Sequence, residues 1–130
     1  MAASLTAGKP VEVEELPTLA DSLGGGIGLH NRYTFSCVQQ LVDDVVLLSE
    51  RQIADAMRHL FMHEGLVSEG GGAVGAALLL EPTLIEKLTR GLGERIAIVV
   101  SGKNVDMTEF RKVIDHTHPA YTDHRGIDLA

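Results

Sequence analysis

Cysteine is nearly missing from this chain: Cys37 is the only one in 130 residues. That excludes a disulfide framework and any CxxC metal pair, and it points to a reducing, cytoplasmic compartment. A lone cysteine of this kind is expected to serve as a small buried hydrophobe. Basic residues are also in the minority, 11 against 18 acidic, for a formal net charge of -7. No basic run offsets that balance, so a nucleic-acid surface is not expected. No apolar run approaches the roughly 20 residues that a membrane span requires. The segment MAASLTAGKPVEVEE has neither an apolar leader core nor a charged flank, which predicts neither secretion nor import.

A chain of this length has room for one core and little more. Ala2 to Ala7 reads as helix stopped by Gly8 and Pro10, followed by a short extended Val11 to Val13. Gly24, Gly25, Gly26 and Gly28 allow a tight loop before Asn31 or Thr34 caps a helix to about Leu41. Val45 to Leu48 is a short apolar strand. Ser49, Glu50 and Gln52 then form a helix start, and Ile53, Met57, Leu60 and Phe61 recur at helical spacing until Gly65 closes the helix. The stretch GLVSEGGGAVGAALLLE predicts a close-packed helix over Ala73 to Leu80. Thr83 is expected to cap a short helix to Arg90, Ile96 to Val100 is an apolar strand, and a last helix runs from Met107 to about Asp115.

Strands alternating with helices, and apolar throughout rather than on alternate residues, predict an α/β fold: a parallel sheet with helices on both faces. Ligands of such sheets gather at the carboxyl ends of strands, where both glycine-rich turns and the Ser-Gly-Lys-Asn turn fall. The residues themselves leave that turn open between a phosphate cradle, a nucleophile and a plain turn. GxxxxGK[ST] is missing, and Ser101 sits in VVSGKN rather than in GxSxG. His116, His118 and His124 lie in HTHPAYTDHRGIDLA without helical i, i+4 spacing, so no metal site is expected and residues 116–130 read as a solvated polar tail.

TLADSLGGGIG, LVDDVVLLSERQIADAM, EGLVSEGGGAVGAA and IAIVVSGKNVDM, in this order, resemble the C-terminal part of the threonine and serine dehydratases. These are fold-type II pyridoxal-phosphate enzymes, a group that also holds serine racemase. LADSLGGGIG with NRYTF after it is most similar to the hydroxyectoine-utilisation dehydratase branch. The resemblance spans Met1 to Ile114, which divides the chain into a dehydratase portion, 1–115, and the tail, 116–130.

The resemblance implies a pyridoxal 5'-phosphate cofactor, a small hydroxy amino acid as substrate and a homodimer, with no nucleic-acid or membrane partner. The implied reaction removes the α-proton, expels the β-hydroxyl as water and releases a 2-oxo acid and ammonia. Family members carry the Schiff-base lysine and the phosphate loop in an earlier part of a longer chain. Of the four lysines, Lys9, Lys87, Lys103 and Lys112, none has the family's Ser-x-Lys context. No catalytic residue is therefore assigned, and the chain is expected to be an inactive fragment. The competing expectation is a non-catalytic α/β binding module that keeps a remnant of the fold.

Among the residues that match, Ser101 is implied to face the pyridine nitrogen, with Gly102 and Asn104 in its loop and Lys103 where many relatives have glycine. Glu69 matches a glutamate near the ring, followed by Gly70 where many relatives have proline. A buried glutamate capping the next helix explains it nearly as well. Asp21 and Ser22 open the segment that in the family closes over cofactor and substrate; by residue type alone they make a turn.

Overall fold

The computed structural model describes residues 1–122, and the expected helices are there with small shifts, except that the one expected to reach Arg90 stops at Ile85. The α-helices are α1 (Ala2–Ala7), α2 (Thr34–Leu41), α3 (Glu50–Glu64), α4 (Gly70–Leu79), α5 (Pro82–Ile85) and α6 (Met107–Ile114), with single 3-10 turns at Asp21–Leu23 and Pro119–Tyr121.

Their ends follow from side-chain chemistry. At the start of α3 the Ser49 hydroxyl accepts from the Gln52 N–H at 3.3 Å, and the Ser49 N–H donates to Gln52 Oε1 at 2.8 Å. This reciprocal box satisfies two amides that the first helical turn leaves free. Gly65 ends α3 in the left-handed conformation, φ 65°. At α2 the Asn31 Oδ1 accepts from the Phe35 N–H at 2.9 Å. The Asp106 carboxylate caps α6 by accepting from the N–H groups of Thr108 at 2.7 Å and Glu109 at 3.2 Å. Those backbone donors, Glu109 first, hold the Asp106 carboxyl below the usual carboxylate range. α5 begins with Pro82 in its first turn, and Thr83 caps nothing.

The core lies where α3, α4, α6 and the turn at Pro119–Tyr121 meet. α3 contributes Ile53, Ala54, Ala56, Met57 and Leu60, which recur every three or four residues and so share one face. α4 answers with Ala73, Ala76 and Ala77, small enough for close backbone approach. Phe110 and Val113 of α6 close the layer, with Phe110 edge-on to Phe61 at 5.4 Å between ring centroids. Burial of Met57 or Phe110 is worth about 1.5–3 kcal/mol each.

Three expectations need correction. No strand forms among the described residues, so the parallel sheet is absent from this part of the molecule. An apolar run becomes a strand only when a neighbour offers a ladder of amides and carbonyls. Val45 to Leu48 and Ile96 to Val100 have no backbone hydrogen-bond partner among the described residues, and Val99 is 80% exposed.

Cys37 is exposed, not buried. On α2 the inward residue is Phe35, and two residues further along a helix point to its other side.

The tail packs rather than trailing off from residue 116. Ala120 joins the core, Arg51 lies 5.2 Å from the Tyr121 ring centroid, and the His118 Nδ1 accepts from the Ala120 N–H at 3.1 Å. Apolar Ala120 and Tyr121 among the polar residues explain the docking. His124 lies outside the described residues.

Candidate functional site

The first turn of α4 is where the separate motifs meet. Its sequence, Gly70-Gly71-Gly72, presents backbone and no side chain, so other segments can approach it closely. A Cβ on Gly70 would run into the Leu19 carbonyl, one on Gly71 into the Ser22 hydroxyl, and one on Gly72 into the Ser101 carbonyl. Further along the same face, a Cβ on Gly75 would meet Ile98. The extended segment Ile96 to Ser101 is thereby laid along α4, which fixes where Ser101 emerges.

Glu69 ties the Ser101 loop to the helix. Its N–H donates to the Gly102 carbonyl at 3.2 Å, and its Oε2 accepts from the Asn104 N–H at 3.3 Å. Glu69 occupies the N-cap position of α4, but its side chain does not cap that helix; the carboxylate is turned to the loop. Gly102 has φ 76°, and a side chain there would overlap the Glu69 carboxylate. Beneath this contact the buried Ser68 hydroxyl donates to the Glu69 carbonyl at 2.9 Å.

The other loop is anchored from α3. The Glu50 carboxylate accepts from the Thr18 hydroxyl at 2.5 Å and from the Leu19 N–H at 2.7 Å. The Thr18 oxygen accepts in turn from the Ala20 N–H at 3.1 Å. These bonds set the chain that runs into the turn bearing Asp21 and Ser22.

All six residues singled out in the sequence thus surround the first turn of α4. Glu69 touches Gly102 and Asn104 directly, Ser101 abuts the helix through its carbonyl, and Ser22 covers Gly71, with Asp21 beside it in the same turn. Ser101, Asp21, Ser22 and Asn104 are exposed, and Glu69 is half-buried. Sequence reasoning missed Ser68 and the anchoring part of Glu50, which it used only as a first-turn helix residue. A carboxylate beside a capping box, with a Thr-Leu pair upstream, was the available signal.

Comparison with known proteins decides the family. Residues 1–102 match the family described as "Pyridoxal-phosphate dependent enzyme". The chain belongs to that family. It is 47% identical over 115 residues to a threonine dehydratase homologue of Sinorhizobium fredii, a match covering 88% of this chain and 33% of that protein. It is 36% identical over 115 residues to the L-threonine ammonia-lyase of Thermotoga maritima, covering 88% of this chain and 27% of that one. Among solved structures, maize serine racemase superposes with a TM-score of 0.72 at 32% identity, over 88% of this chain and 36% of the racemase. The chain spans about a third of the length of the relatives it matches.

Proposed function

We propose that these residues form the ring-nitrogen side of a pyridoxal-phosphate dependent threonine or serine dehydratase, which removes water from a hydroxy amino acid and yields a 2-oxo acid and ammonia. The observation that carries this reading is the Ser101 loop, fixed to Glu69 by two hydrogen bonds and exposed at Ser101. The glycines let the Ser101 segment pack directly against the start of α4, and a neutral hydroxyl held there suits one edge of a flat pyridine ring.

When bound, the cofactor supplies an electron sink for the amino acid's α-carbon. Ser101 is the donor to the ring nitrogen in this reading, and a hydroxyl, unlike an aspartate, does not hold that nitrogen protonated. The sink is then weaker, which favours prompt loss of the β-hydroxyl. Asn104 and Glu69 keep the loop in register, and Asp21 and Ser22 exclude water from above.

Lys9, Lys87 and Lys103 are exposed, and Lys112 is bound to Glu109 at 2.6 Å. The lysine that holds the cofactor and moves the α-proton lies, in this reading, outside the 130 residues. The exposed apolar segments Val45 to Leu48 and Ile96 to Val100 become strands of a parallel sheet once neighbours supply ladder partners. A dimeric assembly, a cytoplasmic setting and a substrate from hydroxyectoine breakdown complete the proposal; the last rests on LADSLGGGIG with NRYTF.

The test is a dehydratase assay on the intact protein that contains this chain, with L-threonine and L-serine and 2-oxo acid as readout. Turnover that falls on Ser101→Ala supports the reading. Absence of 2-oxo acid from either amino acid with cofactor bound overturns it in favour of a binding module.

A further inference from the structure

On the outer side of α3, His59 and His63 stand one turn apart, with ring centroids 4.6 Å apart and planes inclined at 36°. Residues at i and i+4 share a helix face, and this spacing is the one at which two helical imidazoles converge on a metal ion in HExxH sites. Among the described residues, the side-chain hydrogen bonds of α3 and its cap run through Ser49, Glu50, Arg51, Gln52, Asp55 and Arg58 and leave both imidazoles out. His63 is exposed and His59 half-buried, so a cation can reach the pair from solvent.

We propose that His59 and His63 form a two-imidazole site for a late first-row divalent cation, with water in the remaining positions. Metal–nitrogen bonds of about 2 Å require the two nitrogens to lie roughly 3 Å apart. From the observed separation the rings have to turn about χ2 to bring two nitrogens to that distance. The backbone beneath need not move, because α3 is closed by its capping box at one end and Gly65 at the other.

Imidazole nitrogen selects copper(II), nickel(II) and zinc(II) over magnesium and calcium, with copper(II) tightest. The net charge of -7 also favours cations near the surface. No group of three His, Cys, Asp or Glu side chains is placed to hold a metal among the described residues, so affinity rests on chelation by two groups. Two of the tail histidines make other contacts among the described residues. His118 accepts from the Ala120 N–H, and the His116 ring lies 4.4 Å from that of Tyr121.

Nickel(II) chloride titrated into the purified 130-residue chain, followed by calorimetry and by the imidazole proton resonances, tests the proposal. One equivalent is expected to bind at His59 and His63, and copper(II) to displace it. His59→Gln and His63→Gln should each weaken binding by at least about tenfold, because each removes the chelate. The triple variant His116→Gln, His118→Gln, His124→Gln should retain the site. Circular dichroism reports whether α3 stays helical, and exposed His63 is the variant least able to disturb it. Failure of the wild-type chain to bind nickel(II), unchanged affinity in both single variants, or loss only in the triple variant overturns the proposal.

Discussion

The Glu69 carboxylate fills the space that a side chain on Gly102 would need, and residue 102 sits at φ 76°. Two costs therefore fall on one substitution. Gly102→Ala should destabilise the fold by about 1–3 kcal/mol, from left-handed backbone strain together with displacement of Glu69. A urea midpoint close to that of the parent would refute this. In the intact protein the same change should loosen cofactor binding, read as a higher Kd by fluorescence.

Glu50 joins the start of α3 to the loop ahead of Asp21. Glu50→Ala removes the acceptor for the Thr18 hydroxyl and the Leu19 N–H, and should cost on the order of 1.5–3 kcal/mol for the charged hydrogen bonds. The signature is local: amide exchange at Leu19 should accelerate more than at Leu60. Equal acceleration at both positions would mean that Glu50 only stabilises α3.

The capping box offers a simpler measurement. Ser49→Ala deletes the acceptor for the Gln52 N–H and should lower stability by about 0.5–2 kcal/mol, seen as a lower Tm. Ser49→Asp, which restores an acceptor, should recover most of it.

Tyr121 gives a pH dependence. Burial first, and the nearby Asp55 carboxylate second, push its phenol up to about 12. Asp55 acts on the hydroxyl through charge, because the phenol oxygen is buried without a partner at hydrogen-bonding geometry among the described residues. A folded-state value above the unfolded one means that the native state holds its proton longer. The stabilising contribution is thus complete below about pH 10 and is lost as pH rises toward 12. Tyr121→Phe should remove this alkaline loss without weakening the fold near neutrality, since it also removes an unpaired buried hydroxyl. Urea midpoints measured at neutral and alkaline pH check both halves.

The unpaired segment Ile96 to Val100 predicts self-association. Ile96 and Val99 are 50% and 80% exposed, and the backbone beside them has no ladder partner among the described residues. Light scattering should show an apparent mass that grows with concentration, and Val99→Lys should reduce that growth. A monomer at every concentration would count against it.

The helices were legible because their signals are local. Ser49 with Gln52, Gly8 and Gly65 act within a turn or two of the residues they terminate, and the core face of α3 follows from spacing alone. What failed depends on distant partners. Apolarity alone cannot supply a ladder to Val45 or Ile98, and Cys37 faces outward because Phe35 takes the inward direction on a short helix. The docking of Ala120 and Tyr121 was hidden by polar neighbours. The candidate site was readable as separate motifs through the family resemblance, whereas their meeting at α4 required coordinates. The i, i+4 spacing of His59 and His63 is local and stands in the sequence itself.

Three glycines in succession give the first turn of α4 a surface made only of peptide groups, shared by the segments at Leu19 to Ser22 and at Ser101. Any change in how that turn sits is felt by both segments at once, because the Leu19 and Ser101 carbonyls lie directly against its backbone. The two loops are mechanically one part, joined through a helix end, and whatever displaces one of them must work against the other.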